Sequence, residues 1–224
     1  MSEPAAWAEP WQEPTHVLAV RHGRTAWNAE LRVQGHQDVP LDDLGLWQAE
    51  RVGEALADAG LQAVHSSDLG RAHQTASAIA RRHGLAVQRH VDLRERHLGS
   101  FEGQTHAEIE SLWPEEAQRW RRREAGFQPG GGESLLTLSA RCVAAFTRLA
   151  EAHRGQTIAI VSHGGVLDAL YRAAVGAALD VPRTWQLGNA TVNRLLYTGE
   201  GWQLIGWNDR RHLDDAAEPP PADT

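Results

Sequence analysis

Cysteine is nearly absent from this chain: one residue, Cys142, in 224. That excludes an internal disulfide framework and any thiolate cage for zinc. Cys142 itself lies in the helically patterned stretch 141–149, where a buried structural thiol is expected. Positive charge is outweighed as well, with 22 Lys and Arg against 29 Asp and Glu and a formal net charge of −7. Non-specific nucleic-acid binding and attachment to anionic membranes both need clustered positive charge, so neither partner is expected. No window approaches the ~18 continuous apolar residues of a membrane helix. The first residues lack a basic stretch followed by an apolar run, so no secretory signal is recognised and a reducing cytoplasm is the expected compartment. Internal repeats are absent too. What the chain has in quantity is tryptophan and histidine, nine and twelve residues. Most of the histidines are expected on the surface.

A chain of this length suits one large domain that buries its core unaided. Residues 1–14 hold three prolines, three glutamates, Trp7 and Trp11 without periodicity, and read as a flexible leader. Residues 214–224 are acidic, contain Pro219-Pro-Pro221, and read as a disordered tail. The stretch 15–213 is the expected folded domain. Within it, apolar runs at 16–20, 61–65, 85–91 and 157–161 read as strands. Helical spacing predicts helices over 44–59 (Leu46, Ala49, Val52 and Leu56 facing inward), 69–83, 108–124, 133–153 and onward from 164 to 175. Gly84 fits a left-handed C-cap. The runs 191–197 and 202–207, split by Gly199-Glu-Gly201, read as a closing hairpin. Strands alternating with helices predict a three-layer α/β/α sandwich with a mostly parallel sheet. In such sheets the ligand crevice lies off the carboxyl ends of the strands.

Those ends are where reactive residues sit. Arg21-His-Gly-Arg-Thr-Ala-Trp-Asn28 follows the first strand, Ser66-Ser-Asp-Leu-Gly-Arg71 the second, and Ser162-His-Gly-Gly165 the fourth. Taken singly, each motif is common; their joint placement is not. Two arginines and backbone amides at helix starts make an anion site, and the guanidinium fork suits phosphoryl oxygens. His22, expected at a solvent-facing strand end, should stay neutral and nucleophilic among those cations.

With Leu18-Ala-Val-Arg-His-Gly-Arg-Thr-Ala-Trp-Asn28, Val33-Gln-Gly35, Asp38-Val-Pro-Leu41, Ser66 to Ala72, Gln74-Thr-Ala76, Leu93-Arg-Glu-Arg-His-Leu-Gly99, Gly131-Gly-Glu-Ser134 and Val161-Ser-His-Gly-Gly165 in this order, the chain resembles the histidine phosphatase superfamily. The resemblance is to its phosphoglycerate-mutase-like branch and spans about 16–212. It implies that His22 takes the phosphoryl group as phosphohistidine. Arg21, Arg71 and His163 would hold the phosphoryl oxygens, with Asn28 and Gly164 as further phosphate-binding positions. Glu95 would protonate the leaving alcohol and then deprotonate the attacking water. Fixed cations and N–H donors serve such a transfer without a metal or other cofactor. Arg24, Gln34, Gly35, Arg121, Arg122 and Asn189 are candidate substrate contacts. Phe101, Trp113, Trp120 and Phe127 are expected either to frame a lid or to pack on the sheet.

The sequence also departs from the branch. Arg24 stands where Glu or Gln is usual and should add positive charge at the pocket mouth. Gly164 excludes the branch in which Asp follows the second histidine. The connection 124–132 is short, as in phosphatase members, whereas mutases carry a longer insertion. Hydrolysis of a small phosphorylated metabolite is therefore the expected activity. The alternatives are a cofactor-dependent phosphoglycerate mutase and a non-catalytic phospho-ligand binder. A metal hydrolase and a serine hydrolase fail for want of His-Glu-x-x-His and Gly-x-Ser-x-Gly. An edge strand or helix face offers a homodimer as the candidate assembly.

Overall fold

The computed structural model describes residues 13–214. The expected leader (1–14) and tail (214–224) thus lie almost wholly outside the described residues. The first half of the chain gives β1 (Thr15–Arg21), α1 (Ala26–Ala29), α2 (Asp43–Ala55), β2 (Ala63–Ser67), α3 (Gly70–His83) and β3 (Val87–His90). There follow α4 (His106–Leu112), α5 (Pro114–Arg121), α6 (Leu135–Ala152), β4 (Thr157–Ser162), α7 (Gly164–Val175), β5 (Val192–Thr198), β6 (Gly201–Asp209) and α8 (Arg211–Asp214).

The strands form one sheet in the order β3-β2-β4-β1-β5-β6. Strands β1, β4, β2 and β3 are parallel, and the β5–β6 hairpin adds to β1 antiparallel. Side chains alternate across the central strands. Val17, Ala19, Ile158 and Ile160 join Phe146 of α6 and Leu167 of α7 in one core. Leu18, Val20, Ala159 and Val161 join Val52 of α2 and Ile79 of α3 in the other. Both faces are covered, which is why the central strands read as continuous apolar runs. The result is the three-layer sandwich that the alternation predicts. Cys142 is fully buried in the α6–α7 core, and burial pushes its thiol up to about 12, an inert state.

Local departures have local causes. The helix expected over 108–124 is two, because Pro114 has no N–H to give and starts α5 at its first position, with Trp113 serving as the junction. Its N-terminus lies earlier, where Thr105 and Glu108 form a capping box. The helix expected over 44–59 ends at Ala55 in a turn, and Leu46 is 45% exposed rather than inward. The second strand runs two residues later than expected, so Ser66 and Ser67 belong to β2 itself. Gly84 does cap α3, at φ 65°.

One feature of the topology sets up the site. Strand β4 comes after β2 and β3 in sequence but inserts between β2 and β1. The carboxyl ends of β1, β2 and β4 are therefore adjacent, at the point where the winding reverses.

Candidate active site

The β1–β4 register pairs Arg21 with Ser162, and His22 N donates to Ser162 O at 3.0 Å. His22 and His163 each stand one residue past that pair, so their rings lie side by side with centroids 5.1 Å apart. His22 is 3% exposed and His163 fully buried, which corrects the solvent-facing placement expected for His22. The loop is pressed inward by two glycines. A Cβ on Gly23 would lie 2.5 Å from Gly45 O, and one on Gly45 1.9 Å from Arg24 O. His22 Nδ1 donates to Gly23 O at 2.7 Å. A carbonyl can only accept, so the proton sits on Nδ1 and the lone pair on Nε2. Burial, then Arg71 and Arg21, hold the His22 imidazole well below its ordinary range. His163 is lowered by burial, then by Arg71, His22 and Arg21, and neither of its ring nitrogens has a partner among the described residues.

The chain contains no lysine, so every cation at this site is a guanidinium. Arg71, in the first turn of α3, is fully buried. It donates from Nη1 to Gln37 O at 2.7 Å and from Nη2 to Gly35 O at 2.9 Å. The Val33-Gln-Gly35 motif thus supplies a carbonyl that orients Arg71, with Gly35 in the left-handed region at φ 51°. Arg21 donates to Leu187 O. Among the described residues neither Arg21 nor Arg71 has an acid partner, and the Nε of each is buried without a hydrogen bond. Burial lowers Arg21 to about 10 and lowers Arg71 as well. Glu95 attracts both without forming an ion pair, and two buried guanidinium groups beside two neutral imidazoles still leave an excess of positive charge that favours an anion.

Glu95 lies across from them, tied to the start of α7. Its carboxylate accepts from Gly165 N at 3.0 and 3.1 Å and from Arg96 N at 2.8 Å. The Gly-Gly-Glu-Ser motif braces this segment: Ser134 caps α6, and Glu133 holds Arg141, which donates to the carbonyls of Asp92, Arg94 and Glu95. A Cβ on Gly165 would lie 2.4 Å from Glu95 Oε1, whereas one on Gly164 meets nothing closer than 3.6 Å. The tighter approach is at Gly165, which lines the cavity; Gly164 and fully buried His163 stand just behind the wall, a Cβ on Gly164 facing Arg21 Nε at 3.6 Å and Glu95 Oε2 at 3.8 Å. Asn189 Nδ2 donates to His22 O at 3.1 Å and to Asn28 Oδ1 at 3.2 Å. Asn28 Oδ1 also takes Thr25, which leaves its Nδ2 for the cavity.

The cavity measures about 620 Å³ and reaches from Arg21, His22, Arg71 and Glu95 past Gln34 and Gly35 to Trp27 and Trp120. Three sequence candidates are misplaced. Arg24 pairs with Asp42 at 2.8 Å and is not in the cavity wall. Arg121 pairs with Glu110 on an exposed helix face, and Arg122 is exposed beyond it. The arginine of that run which reaches the cavity is Arg123, because α5 ends at Arg121 and Arg123 turns back in the left-handed region at φ 53°. Arg183, from the irregular segment before β5, and Asp168 of α7 also line the wall; no motif announced them. Of the two roles open to the aromatics, packing prevails for Phe101, which forms a small satellite core with Trp113 and Trp120 at 5.4 and 5.5 Å, while Trp120 also lines the cavity. Among the described residues no helix is long and apolar enough to cross a membrane.

The family model described as the histidine phosphatase superfamily (branch 1) matches residues 17–210. Phosphoglycerate mutase-like protein 4 of Arabidopsis thaliana is 41% identical over 203 residues, covering 89% of this chain and 87% of its own. The structure of a mycobacterial glucosyl-3-phosphoglycerate phosphatase complexed with VO3 is similar at TM-score 0.79 and 33% identity, covering 88% of this chain and all of that one. Phosphoserine phosphatase of Entamoeba histolytica, in complex with 3-phosphoglyceric acid, is similar at TM-score 0.80 and 26% identity, covering 89% and 99%.

Proposed function

The chain belongs to branch 1 of the histidine phosphatase superfamily, and on that premise we propose that it hydrolyses a small phosphomonoester through a phosphohistidine. The observation that carries the reading is His22: buried, neutral, its Nδ1 proton committed to Gly23 O, beside Arg21 and Arg71, which Glu95 attracts but which make no ion pair among the described residues. In the first half-reaction His22 Nε2 bonds to phosphorus, the ester P–O bond breaks, and Glu95 gives its proton to the leaving oxygen. Arg21, Arg71, His163 and Asn28 hold the non-bridging oxygens, where negative charge concentrates. In the second, water bonds to phosphorus, the N–P bond breaks, and a water proton returns to Glu95. Two phosphatases among the similar structures support hydrolysis.

Hydrolysis requires water at the phosphohistidine, and a mutase must exclude it. The connection 124–132 packs on the loop 97–99, where a Cβ on Gly99 would lie 1.9 Å from Gly130 O. None of its residues lines the cavity, which favours an open pocket. The name of the Arabidopsis relative favours a mutase instead. The test is phosphate release from a panel of phosphomonoesters with chelator present, alongside 3-phosphoglycerate mixed with catalytic 2,3-bisphosphoglycerate. Phosphate release from some monoester is the expected result. Fast 2-phosphoglycerate formation with little free phosphate overturns hydrolysis in favour of the mutase, and no turnover of any ester leaves a binder.

A further inference from the structure

The wall beyond Glu95 holds a second, unassigned constellation. Gly165 N, which grips Glu95, is in the first turn of α7; Asp168 follows three positions later, on the same face and about one turn further out. If Glu95 stands at the leaving oxygen, the alcohol part of the substrate runs outward past Asp168. Both residues line the cavity.

Asp168 is held by one of its two oxygens only. Oδ2 accepts from Arg123 Nη2 at 2.8 Å and from Arg172 Nε at 3.0 Å. Oδ1 has no partner among the described residues, although the side chain is only 9% exposed. A buried carboxylate oxygen without a donor is costly, so the site favours a ligand that brings one. With Arg123 and Arg172 in contact and Arg183 on the same cavity wall, an ammonium is repelled and a neutral hydroxyl is preferred. Arg123 is itself aimed: its backbone is held in the left-handed region, Nε donates to Leu179 O at 2.9 Å, and Nη2 is on Asp168. Nη1 has no partner among the described residues. Asp168 and Arg123, joined through Oδ2 and Nη2, thus carry one acceptor and one donor without partners on a shared cavity wall, a pattern that complements a polyhydroxylated ligand. Buried Gln34 carries another unpartnered acceptor, Oε1, on the same cavity.

We propose that Asp168, backed by Arg123, is a specificity-determining residue that accepts a hydroxyl of the substrate's alcohol part, so that phosphate monoesters of polyhydroxylated alcohols are preferred. This rests on the phosphatase reading above. The matched probes are ribitol 5-phosphate and pentyl phosphate, the same carbon chain with and without hydroxyls. The wild-type protein should favour ribitol 5-phosphate in kcat/KM by about tenfold or more. Asp168→Asn should lower kcat/KM for ribitol 5-phosphate by about tenfold and erase most of that preference. Equal losses on both esters would mean that Asp168 only braces Arg123 and Arg172, and would overturn the proposal; so would a wild type without preference. Binding of the two esters to the His22→Ala protein by calorimetry reads the same selectivity without turnover and with Asp168 intact. Tighter binding of ribitol 5-phosphate supports the proposal, and equal binding overturns it. Absence of turnover of either ester by the wild type, with that binding preference present, counts against the phosphatase reading alone.

Discussion

Two groups of histidines pack at the same sheet and are built on opposite terms, His22, His163 and His65 buried, His90 and His153 half-buried. His65, His90 and His153 form a closed chain. Gln156 Oε1 can only accept, so His153 Nδ1 donates to it at 2.7 Å; His65 Nε2 then donates to His153 Nε2 at 3.1 Å, and His90 Nε2 to His65 Nδ1 at 3.0 Å. Each ring gives one proton, and neither nitrogen of His65 is left over. The rings of His22 and His163 have the same 5.1 Å spacing as the neighbours in that chain. Yet among the described residues His163 has no partner on either nitrogen, and His22 has only the carbonyl of Gly23. Burial lowers the pKa of His22, His163 and His65 alike. A depressed imidazole therefore does not by itself mark a reactive site. Unsatisfied nitrogen beside unpaired arginine does.

The sharpest way to break that contrast is to remove one histidine from each group. His22→Ala should lower kcat by on the order of 10³-fold or more, since the proposed phosphoryl acceptor is gone. His65→Gln should keep kcat within about twofold. Both are read from phosphate release on one ester, with circular dichroism as the folding control. Comparable losses in the two variants would dissolve the distinction between an open and a closed cluster.

The next effect separates the proton donor from the phosphoryl pocket. Glu95→Gln should slow alkyl phosphates by about 10²-fold and aryl phosphates much less, because a phenolate departs without help. Equal slowing on the two ester types would recast Glu95 as a positioning group.

A smaller effect tests how that carboxylate is held. Gly165→Ala puts a Cβ 2.4 Å from Glu95 Oε1. The carboxylate must move off Gly165 N, and kcat should fall by about tenfold on alkyl esters. Gly164→Ala, with 3.6 Å to spare, should cost clearly less. A reversed order would return the strict glycine requirement to position 164.

The sequence was most legible where a residue acts through chain position. The ends of β1, β2 and β4 follow from apolar runs and from the rule that crevices open at strand termini, so the structure brings Arg21, His22, Arg71 and His163 together at adjacent strand ends as expected. Glu95 was legible only through the family motif, because a glutamate between Arg94 and Arg96 reads otherwise as solvated charge. Arg24, Arg121 and Arg122 were misplaced because charge alone does not tell which way a long side chain turns. Asp42 claims Arg24, and a left-handed residue after α5 moves the useful arginine to Arg123. Arg183 and Asp168 were invisible for a different reason. One sits in an irregular segment, and the other reads as a helix surface acid until α7 is packed against Arg123.

The smallest expected effect is a change of slope rather than of rate, and it sharpens the comparison from the stability side. His65 is held at about 4, below its ordinary 6.5, by burial first and then by His90, His153 and Arg148. Asp92 acts the other way, on His90. Between 6.5 and about 4 the unfolded chain binds a proton that the folded chain refuses. The contribution of His65 is thus complete above about 6.5 and is lost as the pH falls toward 4. His22 and His163, lowered too, pull in the same direction. Protonation of His65 also costs a bond, since its Nδ1 could no longer accept from His90. Glutamine at 65 retains one donor and one acceptor but cannot titrate. His65→Gln should therefore show a shallower fall of Tm between pH 6.5 and 4, and the slope that remains belongs to the other lowered histidines and, toward pH 4, to the lowered carboxylates Glu108, Asp68 and Asp209. Inorganic phosphate, the ligand proposed for the open cluster, should raise Tm equally in the wild type and in His65→Gln at pH 7. An unchanged slope would mean that the closed chain contributes nothing to acid sensitivity, and a lost phosphate effect would mean that the two clusters are coupled through β2 and β4.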